Sequence, residues 1–178
     1  MDIVVATSDE LDADRRRELR ALWDRAFGTE RFSDEDADHA YGGLHVMALD
    51  RDRVVAHASA IPRQIRFGTD PWRTVGYVEA VATEPERQGE GIGRRVMLRL
   101  HDEMATRWPA AMLSTGRATG FYEKLGWERW AGLSYTQTGP DTVPDEEHGG
   151  LMILRIDPSA VPDLTVDVTC QDRPGDAW

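Results

Sequence analysis

The chain has 178 residues, the size of one domain with its own core, and its 40% hydrophobic and 30% charged residues match ordinary globular usage, excluding a disordered chain and a fibrous repeat. Its 21 basic against 32 acidic residues leave a net charge of −11, which repels phosphate backbones, so nucleic-acid binding is not expected and a cationic partner is the natural complement. A lone cysteine (Cys170), a first segment without a basic-then-apolar signal and no run of 18 apolar residues together predict a cytoplasmic protein, off the membrane, in one domain over residues 1–178.

Residues 3–6 read as a first strand. Thr7 and Glu10 then have capping-box spacing before a helix running to about Phe27, on which Leu19, Leu22, Trp23, Ala26 and Phe27 form one apolar stripe. Residues 30–38 carry five acids and one arginine and are expected as a loop or short polar turn, solvated or cation-binding. The apolar runs 44–49 and 54–61 flank Asp50-Arg51-Asp52-Arg53 and predict an antiparallel hairpin. Residues 64–67, the breaker group Gly68-Thr69-Asp70-Pro71 and a long strand over 72–83 extend the meander. Pro85 ends that strand, and Gly89, Gly91 and Gly93 open a helix in which Ile92, Val96, Leu100, Met104 and Trp108 repeat every four residues. A buried strand follows over 111–115, then a short helix over 119–125 closed by Gly126, and strands over 127–136 and 151–156. Residues 141–150 read as an acidic, proline-containing loop and 163–178 as a polar tail. This order predicts one mixed α/β sheet.

The turn Gln88-Gly89-Glu90-Gly91-Ile92-Gly93 lies where a strand hands over to a helix, whose first N–H groups have no intrahelical acceptor. Glycines there let a phosphate approach the backbone, and the helix dipole attracts it. Rossmann spacing would need a glycine where Arg94 stands, and a Walker loop needs a Lys-Ser/Thr pair that is absent. Arg87, Arg94, Arg95 and Arg99 reverse the local charge around the turn in an otherwise acidic chain; Arg87 or Arg94 is the candidate phosphate contact.

What remains is Gln/Arg-x-x-Gly-x-Gly/Ala, and here the chain resembles the GNAT acyltransferase superfamily, whose members hold the pyrophosphate of acetyl-CoA in this turn. Val78-Glu79-Ala80-Val81-Ala82 before it and Phe121-Tyr122-Glu123-Lys124-Leu125-Gly126-Trp127 after it add to the likeness. Within that superfamily the chain looks like the aminoglycoside 2′-N-acetyltransferases. The matching stretches are Ala40-Tyr41-Gly42-Gly43-Leu44-His45, Gly76-Tyr77-Val78-Glu79-Ala80-Val81-Ala82 and Cys170-Gln171-Asp172-Arg173-Pro174-Gly175-Asp176-Ala177-Trp178. The resemblance implies a central mixed, mostly antiparallel sheet flanked by helices, with a strand that splays before the pyrophosphate turn. It also implies acetyl transfer to the 2′-amine of aminoglycosides, with the backbone of Gln88, Gly89, Gly91, Ile92 and Gly93 at the pyrophosphate.

A protonated amine cannot attack a thioester, so a base must remove a proton; Glu79, on the strand before the turn, is the candidate, directly or through water. Tyr122, a phenol with an ordinary pKa near 10, is the candidate donor to the departing thiolate, and the Val81 N–H the candidate ligand of the acetyl oxygen. A polycationic acceptor calls for carboxylates. Asp36 keeps the family's offset from Gly42-Gly43, with Asp34 or Glu30 second; Glu147 is preferred over Glu146; Ser114 is a weaker contact. The resemblance further implies that Asp176 and Trp178 fold back into the acceptor pocket. Five scattered histidines without i, i+4 spacing or a cysteine partner give no metal site. A homodimer is left open. The alternatives are a GNAT enzyme acting on another amine (a polyamine, a cell-wall amino sugar, a protein N-terminus) and an acyl-CoA-binding module without turnover.

Overall fold

The structure, a computed structural model, describes residues 1–145, 150–161 and 163–178. Its contacts divide the chain into two compact units, Met1–Ile61 with Val78–Glu103, and Pro62–Tyr77 with Met104–Trp178.

The first unit holds β1 (Asp2–Thr7), α1 (Ala13–Phe27), α2 (Asp34–Ala40), β2 (Leu44–Asp50), the leading part of β3 (Arg53–Phe67), the trailing part of β4 (Arg73–Thr83) and most of α3 (Ile92–Ala105). β1, β2 and β3 are successive antiparallel neighbours. The β2–β3 turn has positive φ at both central residues, Arg51 (49°) and Asp52 (67°), as a two-residue primed turn requires, and the register slips between Ala48 and Leu49. The apolar stripe of α1 is buried as its spacing predicts: Leu19, Leu22 and Trp23 join Phe32, Met47, Val54 and Ala82 in one core.

Two local expectations change. The Thr7–Glu10 capping box is present, but it closes a single 3-10 turn, Ser8–Glu10; extended Leu11 intervenes, and α1 is capped by Asp12, whose carboxylate accepts from Arg15 N–H at 2.8 Å. The acidic 30–38 stretch is no mere loop. Ser33 and Asp36 form a reciprocal capping box, and Ala37 and Ala40 on the inner face of α2 pack into the core beside Trp23, which the acidic outer face hid from a composition reading.

The second unit holds the trailing part of β3, the leading part of β4, β5 (Ala110–Ser114), α4 (Thr119–Glu123), β6 (Glu128–Arg129), β7 (Ser134–Thr138), β8 (Asp141–Pro144), β9 (Leu151–Arg155) and β10 (Val168–Gln171). Strand order is β6-β9-β5-β4-β3-β10-β7-β8. The β5–β9, β6–β9, β3–β10 and β7–β8 pairs are antiparallel; β4–β5 and β7–β10 are parallel. The sheet is therefore mixed and mostly antiparallel, as expected.

Three readings are corrected here. The tail over 163–178 contains β10, with Val168 and Cys170 fully buried between β3 and β7. The run over 127–136 is not one strand: it breaks between β6 and β7, where Ala131 N–H reaches Leu164 O at 2.9 Å and Gly132 lies so close to Val166 that a Cβ would stand 1.8 Å from its carbonyl oxygen. The segment 141–150 begins as strand β8. Among the described residues no helix is long and apolar enough to cross a membrane.

Candidate active site

In the first unit the candidate site residues lie on β4 and the turn after it. Val78 and Ala82 are buried, and between them the chain leaves the extended repeat: Ala80 has φ 50°, a left-handed conformation costing an L-residue about 1 kcal/mol or more. Its carbonyl lies 3.0 Å from Nδ1 of His57, and the Ser59 hydroxyl donates to the Glu79 carbonyl at 3.2 Å. Glu79 and Val81, on either side of Ala80, are both half-buried. The strand is tied off by Glu84, whose N–H donates to Val55 O and whose carboxylate binds Arg25 and Arg53 at 3.0 and 2.7 Å.

Past Pro85, Gly89 and Gly91 take φ 86° and 77°, conformations that only glycine adopts freely, and a Cβ on either would meet open space. The first backbone hydrogen bond of α3 runs from Arg95 N–H to Gly91 O at 3.2 Å, so the N–H groups ahead of it form the open end of a 14-residue helix. Ile92, buried, pins this end to the core. Open glycines, helix N–H groups and the positive end of the dipole fit a pyrophosphate. Of the two arginines named from sequence, Arg87 is held by Glu90 and Asp50 at 2.8 and 2.9 Å, which partly neutralises it; Arg94 is exposed and forms no ion pair among the described residues.

In the second unit Tyr122 is buried on α4, edge-on to Phe121 and Trp127 with ring centroids 5.1 and 6.0 Å away. Burial pushes its phenol up to about 12, so it keeps its proton at neutral pH, as a donor must. Ser114 ends β5, exposed, opposite Leu151. The last residues are anchored: Arg63 donates to Gln171 O and Ala177 O at 2.6 and 2.9 Å, Arg173 Nε donates to Asp176 O at 2.6 Å, and the Trp178 N–H donates to Asp176 Oδ1 at 3.1 Å. Arg63 and Arg173 each sit 5.7 Å from the Tyr77 ring centroid, and Trp178 packs near that ring at 6.4 Å. The Trp178 indole N–H is buried and has no acceptor among the described residues. Asp36, in the first unit, uses its Oδ2 in the α2 cap, which leaves Oδ1 for a cation. Asp34 pairs with Arg20 at 2.6 Å. Glu147 lies outside the described residues.

Sequence reading missed one cluster in the first unit. His45 and His57, both buried, face each other at 3.0 Å, with Trp23 Nε1 and Ser8 Oγ each 3.1 Å from the pair's outer nitrogens. The hairpin register explains the oversight. Counted back from the turn without a slip, His45 and His57 fall on opposite faces; the shift between Ala48 and Leu49 pairs Met47 with His57 and His45 with Ser59, bringing both rings to one face.

A family model described as the acetyltransferase (GNAT) domain matches residues 8–130, from the start of that buried cluster through the glycine turn to Tyr122. The chain belongs to the GNAT acetyltransferase family. An aminoglycoside 2′-N-acetyltransferase of Mycolicibacterium fortuitum is 34% identical over 179 residues, covering 98% of this chain and 90% of that protein. A GNAT family N-acetyltransferase of Escherichia coli, solved in complex with CoA, superposes with a TM-score of 0.68 at 16% identity, over 97% of this chain and 93% of its own. A probable N-acyltransferase of Enterococcus faecalis matches with a TM-score of 0.60 at 19% identity over 73% of this chain, which spans only 33% of that larger protein. This acetyltransferase thus shares its fold with proteins far removed in sequence.

Proposed function

We propose that this acetyltransferase transfers the acetyl group of acetyl-CoA to the 2′-amine of aminoglycosides. The observation that carries the reading is the likeness to the M. fortuitum enzyme across nearly the whole of both chains. The turn Gln88–Gly93 receives the pyrophosphate of acetyl-CoA on its N–H groups, with Arg94 as the side-chain contact and Arg87 second because of its two carboxylate partners. Glu79 takes a proton from the acceptor amine, directly or through one water; the amine nitrogen bonds to the acetyl carbon as the carbon–sulfur bond breaks. The Val81 N–H receives the developing oxyanion, and Tyr122 gives its proton to the thiolate.

A net charge of −11 suits a small polycation and not a nucleic acid, and the acceptor's ammonium groups are assigned to Asp36 and Asp176, with Trp178 and Ser114 as further contacts. The cytoplasm, where acetyl-CoA is made and used, is the compartment the reading requires. Acceptor profiling with acetyl-CoA tests it: aminoglycosides with a 2′-amine should release CoA and gain one acetyl group at that nitrogen, and those with a 2′-hydroxyl should not. Equal turnover of both classes would refute the position claimed.

A further inference from the structure

The second unit holds a buried arginine that the proposed chemistry does not use. Along β3 the residues Arg63, Ile65 and Phe67 alternate inward, and all three are buried. A guanidinium in that row is costly unless its N–H groups find acceptors. Arg63 stands just past the last pair of the β3–β10 ladder, Ile65 with Cys170, where the tail leaves the sheet. Its Nη2 carries two hydrogens, and they go to two carbonyls: Gln171 O at 2.6 Å, on the last residue of β10, and Ala177 O at 2.9 Å. One nitrogen atom thereby closes the loop over 172–176 at both ends.

Other contacts agree with that closure. The Cys170 thiol, whose pKa burial raises, donates to the same Ala177 carbonyl at 3.4 Å, and a carbonyl oxygen has lone pairs for both donors. Inside the loop Gly175 takes φ 75°, Arg173 Nε donates to Asp176 O at 2.6 Å, and Asp176 Oδ1 accepts from the Trp178 N–H at 3.1 Å. Ala177 lies between the two residues assigned to the acceptor, so fixing its carbonyl fixes both. A tail tied by its carbonyls also keeps its carboxylate: Asp176 forms no ion pair among the described residues, and Oδ2 is open to an ammonium. The charge of Arg63 itself opposes a polycation, so its presence here is explained by what it holds.

We propose that Arg63 is a positioning residue for the acceptor, which closes the 172–176 loop and so sets Asp176 and Trp178 where an ammonium-bearing substrate meets them. The inference rests on the acceptor role proposed for that pair.

Kinetics with a 2′-amino aminoglycoside separate this role from a merely stabilising one. Arg63→Gln, too short to span both carbonyls, should raise the KM for the aminoglycoside about tenfold, the scale of one lost charged hydrogen bond, with the KM for acetyl-CoA within about threefold. Arg63→Lys should recover most of that loss, because both bonds come from one nitrogen and an ammonium supplies three donors. Two results would overturn the proposal: a lower melting temperature with both KM values unchanged, or a lower aminoglycoside KM in Arg63→Gln, as expected of a charge that only repels the substrate. Amide hydrogen exchange without substrate, well below the melting temperature, tests the anchor directly. The Trp178 N–H should be protected in the wild type and in Arg63→Lys and exchange about tenfold faster or more in Arg63→Gln; equal rates in all three also refute the anchor. Should Arg63→Gln not fold, the wild type decides: the Arg63 Nη hydrogens should exchange far more slowly than those of an exposed arginine, and equally fast exchange overturns the proposal. If Asp176→Asn keeps the wild-type aminoglycoside KM, the acceptor role of the tail is wrong, and the exchange rates still decide whether Arg63 holds the loop.

Discussion

Gly91 and Gly132 show two opposite uses of the same residue. In the first unit, Gly91 (like Gly89) has a positive φ and nothing within 4 Å of a hypothetical Cβ, so the space beside it is left to whatever approaches from outside. In the second unit, Gly132 has no positive φ, yet its missing Cβ would stand 1.8 Å from Val166 O and 2.9 Å from Thr165 O, so the space is already filled by the chain itself. One glycine leaves the space beside it open, the other lets two segments pack against each other, and sequence alone does not distinguish them.

Substitution separates the two. Gly132→Ala forces backbone against backbone, which no rotamer change relieves, and should cost about 3 kcal/mol or more, or prevent folding, in a denaturant melt. A small change in that melt would show that the 130–133 segment yields. Next in size is Glu79→Gln, which should lower kcat about 100-fold and leave the KM for acetyl-CoA and the melting temperature nearly unchanged. Gly91→Ala should do the reverse: the KM for acetyl-CoA rises about tenfold, and the left-handed alanine costs only about 1 kcal/mol. If Gly91→Ala lowered stability alone, the turn would be a packing turn like that at Gly132.

The smallest effect concerns protons in the first unit. His45 and His57 titrate near 6.5 when unfolded but are depressed to about 4 and about 3 by burial, so between those values the unfolded chain binds more protons. Their contribution is fully present above about pH 6.5 and is lost as pH falls through that window toward 3. Melting temperature should therefore decline on acidification from pH 7 to 5, and His57→Phe should flatten the slope.

Short-range signals were legible in the sequence. The α1 stripe, the polar turn between β2 and β3 and the strand–turn–helix around Gln88–Gly93 each rest on neighbours within a few residues. The strand β10 was not legible: Val168-Thr169-Cys170-Gln171 is four residues in a polar stretch, and its partners, near Phe67 and Ser134, lie far along the chain. α2 was hidden by its own acids. At the site, residue types could nominate Glu79, Tyr122 and the turn, but not that Arg87 is already engaged by Asp50 and Glu90, nor that one slip in β2 brings two histidines face to face. Those facts depend on packing between segments that no local pattern encodes.

The position of β10 has a consequence for the order in which the protein can be completed. Among the described residues β7 and β8 join the rest of their sheet through β10, which lies antiparallel to β3 and parallel to β7. On the ribosome, β3 and the β7–β8 hairpin emerge well before residues 168–171 and wait with open edges, the condition under which nascent chains pair with one another. Closure then requires a late strand to insert between two earlier ones, a long-range step that is intrinsically slow. Chains interrupted before Val168 should therefore be captured by chaperones or aggregate, even though the glycine turn and β4 are already made.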